Sequence, residues 1–325
     1  MKFGIVGCGL IGQKRAKAVL ASGASVSNVS DLNAARATVL AEDCSAQAVA
    51  TWQDVVTSNV DAVVIAVTHD LLAEMTLSAV QAGKHVLVEK PAGRSASEIA
   101  SVAAAAQKFG RIVKVGYNHR FHPAVQKAHA IFESGDLGPI MYIRGRYGHG
   151  GRVGYDQEWR CNPGLSGGGE LIDQGSHLID LSRWFMGDLA LAFAATPTLF
   201  WNIPVDDNCF LALKSQAGGI SWLHATWTEW KNMFSFEIYG RDGKLTIDGL
   251  GGSYGIERLT YHKMLPLMGP PETTIWEYPF PDTSWETELR EFVSAIRENR
   301  QPVGNIVDAL AVMRIIDNAY GRGSK

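Results

Sequence analysis

Three side chains in this sequence have types and settings suited to proton transfer: Lys90, Asp173 and His177. In GGGELIDQGSHLID, residues 167–180, Asp173, His177 and Asp180 follow one another at steps of four and three, so on a helix they share one face. Gly167, Gly168 and Gly169 carry no side chains to block a ligand from the first turns of that helix. A histidine titrates near neutrality and can take a proton from a carbinol, while an aspartate four residues earlier can orient the imidazole or the substrate hydroxyl. A plainer reading stays open: Asp173 as an N-terminal helix residue favoured by the dipole, His177 as a core histidine bonded to a carbonyl. Asp180 is read as structural.

Lys90 belongs to VLVEKPAG, where an apolar strand ends at Glu89, Lys90 and Pro91. Pro91 keeps Lys90 out of the helical region and so extended at the carboxyl edge of the strand, the edge at which open α/β sheets bind their ligands. A lysine there can hydrogen-bond a substrate hydroxyl, and partial desolvation would bring it towards the range useful in proton transfer. It can equally be a surface lysine paired with Glu89.

A carbinol that loses its hydroxyl proton in an oxidation must also lose a hydride from its carbon, and the N-terminal segment offers a place for a hydride carrier. GIVGCGLIG sets Gly7, Gly9 and Gly12 in the G-x-G-x-x-G pattern, directly after a strand and directly before a helix. Gly7 suits the tight turn, Gly9 the approach of a pyrophosphate and Gly12 close packing of the helix. The N–H groups of the helix start, at Leu10 and Ile11, face the phosphate charge. Asp31 closes the second strand, where a carboxylate accepts hydrogen bonds from the adenosine ribose; with no arginine until Arg36, NAD is favoured over NADP. Ala66 and Val67 at the end of the strand DAVVIAV and Thr68 and His69 just beyond it, with Glu89, Lys90 and Asn118, are expected to complete the cofactor contacts along the same edge. A glycine turn that binds nothing, or an S-adenosylmethionine site, are the other readings of this loop.

The elements that must hold these residues follow from periodicity. Up to about residue 116, short Val- and Ile-rich runs (KFGIVG, SVSNVSD, DAVVIAV, HVLVEK, IVKVG) alternate with helical stretches (QKRAKAVLAS, LAEMTLSAVQAG, SASEIASVAAAAQKFG), the rhythm of a doubly wound parallel sheet. Two of those helices stop at Gly83 and Gly110. Beyond His119 come a helix in RFHPAVQKAHAIFESG, a strand in MYIRGRYGHGG, and a helix in LIDLSRWF. FLALKS, GGISWLHATWTEW, FSFEIYG and KLTIDG are then expected to pair antiparallel in sequence order. LPLMGPPETTIWEYPFP reads as a Pro-rich loop before two closing helices. The expected fold is α/β: a Rossmann domain over residues 1–118, and an α+β domain over 119–325 with a large open, mostly antiparallel sheet, its C-terminal helix free to pack back on the first domain.

With 325 residues, the chain exceeds the roughly 250 to 300 that one core usually serves. Its 30 basic and 33 acidic side chains leave a formal charge of -3, no field for nucleic acid or an anionic membrane surface. Cys8, Cys44, Cys161 and Cys209 lack metal-knuckle or dithiol spacing and are expected to be reduced thiols of a cytoplasmic protein without a metal. No segment reaches the roughly 18 apolar residues of a membrane span, and no signal peptide is expected.

A terminal GCGLIG loop, an EKP tripeptide ending a strand of the first half, and D-x-G-x-H in the second half resemble, in this order, the glucose–fructose oxidoreductase/inositol dehydrogenase/rhizopine catabolism (Gfo/Idh/MocA) family over nearly the whole chain. The resemblance implies NAD(P)-linked oxidoreduction of sugars, polyols and related hydroxy compounds. It places the catalytic lysine at Lys90, the acid at Asp173 and the catalytic histidine at His177. It also implies a cis peptide before Pro91. A non-catalytic NAD-binding sensor or partner protein on the same scaffold is the alternative.

RGRYGHGGRVGYDQEWRCN interleaves Arg144, Arg146, Arg152 and Arg160 with Tyr147, Tyr155 and Trp159. Arginine forks suit phosphates and carboxylates, and aromatic faces suit sugar rings, so a sugar phosphate, uronate or nucleotide-linked sugar fits both; an exposed strand with alternating arginines is the ordinary reading. Arg120, Arg152, Trp159 and Arg160 join Lys90, Asp173 and His177 as expected substrate contacts. Trp222, Trp227 and Trp230 are expected to show aromatic surface on the open sheet, covered by another copy in a homodimer or homotetramer, or else to be plain core.

Overall fold

The computed structural model describes residues 1–323. They divide into two units: Met1–Asn118 together with Trp285–Met313, and His119–Ser284 together with the residues from Arg314 onward.

In the first unit, β1 (Lys2–Val6), α1 (Leu10–Ala21), β2 (Ser25–Ser30), α2 (Ala34–Cys44), β3 (Gln47–Ala48), α3 (Trp52–Thr57), β4 (Ala62–Ile65), α4 (His69–Gln81), β5 (His85–Val88), α5 (Ala96–Phe109) and β6 (Val113–Val115) alternate, with α2, β3 and α3 in addition to the five strands and three helices expected. The strands form one sheet in the order β3-β2-β1-β4-β5-β6, and every pair is parallel. The winding reverses between β1 and β4, the switch point at which such sheets receive ligands. Strand β4 is buried along its whole length, which is why it reads as an unbroken apolar run rather than an alternating one. Two elements have weaker signatures: β3 is two exposed residues, and α3 is one short helix held by a capping box between Thr51 and Asp54. Gly83 (φ 81°) and Gly110 (φ 59°) stop α4 and α5 in the left-handed region, as expected.

The second unit holds α6 (Pro123–Glu133), β7 (Ile140–Gly148), α7 (Pro163–Ser166), α8 (Ser176–Met186), β8 (Leu189–Ala195), β9 (Asn208–Ser215), β10 (Ile220–Thr226), β11 (Met233–Gly240), β12 (Gly243–Asp248), β13 (Glu257–Lys263) and β14 (Glu272–Tyr278). Its sheet runs β14-β13-β12-β11-β7-β10-β9-β8. Two expectations are corrected here. Strands β10 and β11 do not pair: β7 lies between them, parallel to β10 and antiparallel to β11, and residues 227–232 span it. The Pro-rich stretch is not all loop, because ETTIWEY is the edge strand β14, antiparallel to β13. Helix α8 packs on β7 and β10, and α6 on β12, β13 and β14. The burial of β11 alternates strictly, so this strand has one buried face and one more open face.

The two closing helices are α9 (Ser284–Glu298) and α10 (Ile306–Ala319). Where only the C-terminal helix was expected to be free to pack back, Trp285–Met313, which takes in α9 as well as the first part of α10, belongs to the first unit. The reason is apolar: Leu289, Phe292 and Val293 complete the core formed by Phe3, Ile5, Val64 and Leu87, with the Phe3 and Phe292 rings 6.4 Å apart. Of the three tryptophans expected on the open sheet, Trp222 is half exposed on β10. Trp230 is 77% exposed but lies in the loop beyond it, and Trp227 is fully buried against Tyr155 and Val205.

Candidate functional site

The glycine loop is built by close backbone approach. A Cβ on Gly12 would stand 1.9 Å from the carbonyl oxygen of Gly7, and one on Gly7 (φ 92°) would stand 2.2 Å from that of Ala66. Only glycine allows the helix start, the turn and the end of β4 to meet in this way, so Gly7 and Gly12 are brought together with Ala66 and Val67. A Cβ on Gly9 would meet no atom within 4 Å, and the space over it is open. The first bond of the α1 ladder is donated by Gln13 to Gly9, which leaves the N–H groups of Leu10, Ile11 and Gly12 ahead of the ladder at the positive end of the helix. Open space over a glycine at such a helix start fits a pyrophosphate.

Asp31 is fixed by two backbone donors: Cys8 N–H on Oδ2 at 2.6 Å and Asn33 N–H on Oδ1 at 2.8 Å. Each oxygen keeps a second lone pair for a ribose hydroxyl. The Cys8 thiol beside it is pushed up to about 12 by burial and by the Asp31 charge, so it stays protonated and takes no part as a nucleophile. Thr68 occupies the N-cap position of α4, without a side-chain capping bond, and His69 is buried in the first turn.

At the end of β5 the Lys90–Pro91 peptide is cis, as the resemblance implied. Lys90 is partly exposed. The Glu89 side chain meets Arg15: its Oε1 accepts the Arg15 Nε–H at 2.6 Å, and only 12% of the side chain is exposed. Burial raises the Glu89 carboxyl above its ordinary range against the opposing pull of Arg15.

In the second unit, the motif expected to be one α-helix begins as something wider. Residues Leu171–Gly175 form a π-helical turn, and α8 starts only at Ser176. Asp173 and His177 are therefore joined through a widened turn, a device frequent at functional sites. The loop before it is anchored by the Asp206 carboxylate, which accepts the N–H of Gly169 (2.9 Å) and of Leu171 (2.8 Å) and the Tyr320 hydroxyl (2.7 Å).

Asp173 and Arg160 come together, with Nε donating to Oδ2 at 3.1 Å. The Arg160 guanidinium lies over the Trp159 ring at 4.6 Å, and Glu158 is ion-paired with Arg152 at 2.5 Å and with Arg160 at 3.7 Å. Arg152, Trp159, Arg160 and Asp173 thus form one connected group. Burial, aided by the charges of Asp173 and Glu170, raises the phenols of both Tyr147 and Tyr155. His149 is lowered by burial although Asp173 opposes this.

His177 is buried and stacks on His119, ring centroids 3.8 Å apart, with Tyr147 at its edge 6.3 Å away. Arg120 is bound to Asp180: Nε and Nη2 donate to its two oxygens at 2.8 and 2.6 Å, both residues buried. That bidentate pair occupies the arginine fork and ties the turn Asn118–Phe121 to α8. Three other residues were missed. His119 lies in NHRF between two residues that were singled out, so its signal was in view. Tyr254, whose hydroxyl accepts from the Gln174 amide at 3.3 Å, and Asp206 lie 80 and 35 residues from their partners Gln174 and Leu171 and carried no local signal.

Residues 1–117 match the model of an oxidoreductase family with an NAD-binding Rossmann fold, and residues 125–246 match the GFO/IDH/MocA C-terminal domain. The chain belongs to the GFO/IDH/MocA oxidoreductase family. Its first unit carries that family's NAD-binding Rossmann domain. Among curated relatives, the levoglucosan dehydrogenase of Pseudarthrobacter phenanthrenivorans is 26% identical over 61% of this chain and 58% of its own length. The inositol 2-dehydrogenase 2 of Saccharopolyspora erythraea is 30% identical over 67% of this chain and 64% of its own. The chain therefore spans less than two thirds of the length of these two relatives. A solved levoglucosan dehydrogenase in complex with NADH and levoglucosan shares the fold with a TM-score of 0.89, at 22% identity, over 99% of this chain and 98% of that one. Among the described residues, no helix is long and apolar enough to cross a membrane.

Proposed function

We propose that this member of the GFO/IDH/MocA family is an NAD(P)-dependent oxidoreductase. In this reading it transfers a hydride between the nicotinamide and a hydroxyl or keto carbon of a sugar, cyclic polyol or sugar derivative. The observation that carries the reading is the π turn that places Asp173, ion-paired with Arg160, just ahead of the buried His177, in a chain whose other unit is an NAD-binding Rossmann domain. The nicotinamide, when bound, accepts or returns the hydride. His177 takes the carbinol proton, and Lys90 and Asp173 hydrogen-bond the reacting hydroxyl. Gly7, Gly9, Gly12, Leu10 and Ile11 hold the pyrophosphate, and Asp31 the ribose. That carboxylate repels a 2′-phosphate and so favours NAD over NADP.

Trp159 and Arg160 are assigned to the substrate ring, with Arg152 behind them through Glu158. Arg120 is assigned to the scaffold because Asp180 occupies its fork. Relatives named for levoglucosan and inositol support a carbohydrate-like substrate. All four cysteines are free and buried, which is compatible with the cytoplasm, and the open face of the second sheet, with Phe193 and Trp222 half exposed, is assigned to a homodimer or homotetramer contact.

The test is NADH absorbance over levoglucosan, myo-inositol, aldoses, uronates and sugar phosphates. His177→Ala and Lys90→Ala should each lower turnover by about 10² to 10⁴ while NAD affinity holds within about twofold. Near-normal turnover in both would sink the assignment, and NAD binding without turnover of any of these compounds would favour a sensor.

A further inference from the structure

Four ionisable side chains of the first unit form a linear chain, Glu89–Arg15–Glu288–Lys114. Arg15 is fully buried; its Nε donates to Glu89 Oε1 and its Nη1 to Glu288 Oε2, each at 2.6 Å. The other oxygen of Glu288 accepts the Lys114 Nζ–H at 2.8 Å, and that ammonium also donates to the carbonyl of Val115 at 2.8 Å. Two cations and two carboxylates balance. The four come from four elements: α1, which starts at the glycine loop; the end of β5, one residue before Lys90; β6; and the returning helix α9. The Trp285 ring covers the Arg15 guanidinium at 4.5 Å. Gly116 makes room for the group, since a Cβ there would stand 2.7 Å from Glu89 Oε2 and 2.8 Å from Arg15 Nη2.

We propose that Glu288 is a positioning residue for Lys90, acting through Arg15 and Glu89. Buried ion pairs are a poor source of stability, because well-packed apolar side chains of the same volume do as well or better. What such a group does supply is geometry. A planar guanidinium bound on two sides cannot rotate, so Glu288 holds Arg15 in the plane that receives Glu89. Glu89 in turn fixes the backbone from which Lys90 leaves the strand. The same arginine sits on the helix of the cofactor loop, so the lysine is set relative to that loop by one side chain. The helix that provides Glu288 is distant in sequence, which makes the returning segment part of the positioning machinery as well as of the core.

The proposal rests on the role given to Lys90 above, and the experiment separates the two. Glu288→Gln, which keeps the shape, and the double variant Lys114→Met with Glu288→Met, which removes one charge of each sign and so keeps the balance, are compared in the full chain. Each is assayed with NAD and the best substrate of the sugar panel. Turnover should fall about tenfold to a hundredfold with the KM for NAD unchanged, including in the double variant, which keeps the thermal stability that Glu288→Gln loses. Glu288→Asp should recover part of it. Independently of turnover, the rate at which N-acetylimidazole acetylates Lys90, read by mass spectrometry against the exposed Lys17, should rise about threefold as the strand end loosens. Unchanged Lys90 labelling in a folded variant overturns the positioning role, as does turnover at the parent level in the double variant. Unchanged turnover in Lys90→Ala, with labelling altered in the Glu288 variants, would overturn the catalytic reading and leave the positioning intact.

Discussion

The two segments proposed to do the chemistry are held by opposite means. Around Lys90, side chains hold side chains: Arg15, Glu89, Glu288 and Lys114 neutralise one another. Ahead of Asp173 and His177, a single carboxylate holds backbone: Asp206 takes the N–H groups of Gly169 and Leu171, and Arg322 donates to the Gly167 carbonyl at 2.7 Å. The contrast follows from what each segment lacks. Strand β5 satisfies its own peptide groups through the sheet and needs only its end directed. A glycine run entering a π turn has no ladder to satisfy its donors, and buried N–H groups must find acceptors elsewhere.

The sharpest test of this contrast is glycine replacement, with the largest effects. A Cβ on Gly169 would stand 1.9 Å from the Asp206 carbonyl, the same distance that separates a Cβ on Gly12 from the Gly7 carbonyl. Neither clash can be relieved by a flexible side chain. Gly169→Ala should cost about 4 kcal/mol or more and abolish turnover, with NAD still bound by whatever protein folds. Gly12→Ala should instead abolish NAD binding. If isothermal titration shows both variants losing NAD equally, the division of labour between the segments is wrong.

Next in size are the carboxylates. Lys114 and Arg15 together hold Glu288 below the ordinary glutamate range although burial opposes them, whereas burial leaves Glu89 above it. At neutral pH the charge of Glu288 is thus favoured by the fold and that of Glu89 is not. Glu288→Gln should cost about 3 to 5 kcal/mol and Glu89→Gln clearly less, by denaturant unfolding. The pH dependence separates the two regions further. A depressed folded value means that the Glu288 contribution is complete above its unfolded value, about 4.3, and is lost as pH falls through the folded one. Asp206 is raised by burial, so its contribution is complete below about 3.9 and lost as pH rises through its folded value. On acidification the cost of Glu288→Gln should therefore shrink and that of Asp206→Asn should grow. Parallel trends would mean that the two anchors are not of different kinds.

How far the sequence carried depended on the range of the interaction. The parallel sheet, the glycine loop, the stops at Gly83 and Gly110 and the family motifs are local patterns of spacing and type, and they were legible. What was not legible lies far apart in the chain: Arg15 and Glu288 are separated by 273 residues, and Arg120 and Asp180 by 60. Nothing in NHRF says that its arginine will be occupied by an aspartate, and nothing in EKP says that its glutamate will face an arginine of the first helix. The insertion of β7 between β10 and β11 is of the same class, since hairpin logic pairs neighbours and has no term for a strand that arrived earlier. The π turn was hidden for another reason, because steps of four and three suit an α-helix equally well.

The smallest effect concerns how much of the second anchor is shared. The Tyr320 hydroxyl donates to Asp206 Oδ1 at 2.7 Å and accepts the Gly169 N–H at 3.2 Å, a donor that Asp206 already takes at 2.9 Å. Removing the hydroxyl in Tyr320→Phe therefore strips Asp206 of one donor but leaves Gly169 its acceptor. A cost of about 1 kcal/mol is expected, seen as a modest fall in thermal midpoint with turnover nearly intact. Because Asp206 is raised by burial, losing that donor should also raise it further, so the steep part of the stability profile moves to higher pH in the variant. A loss of turnover much larger than the loss of stability would show that the C-terminal residues place the π turn themselves rather than through Asp206.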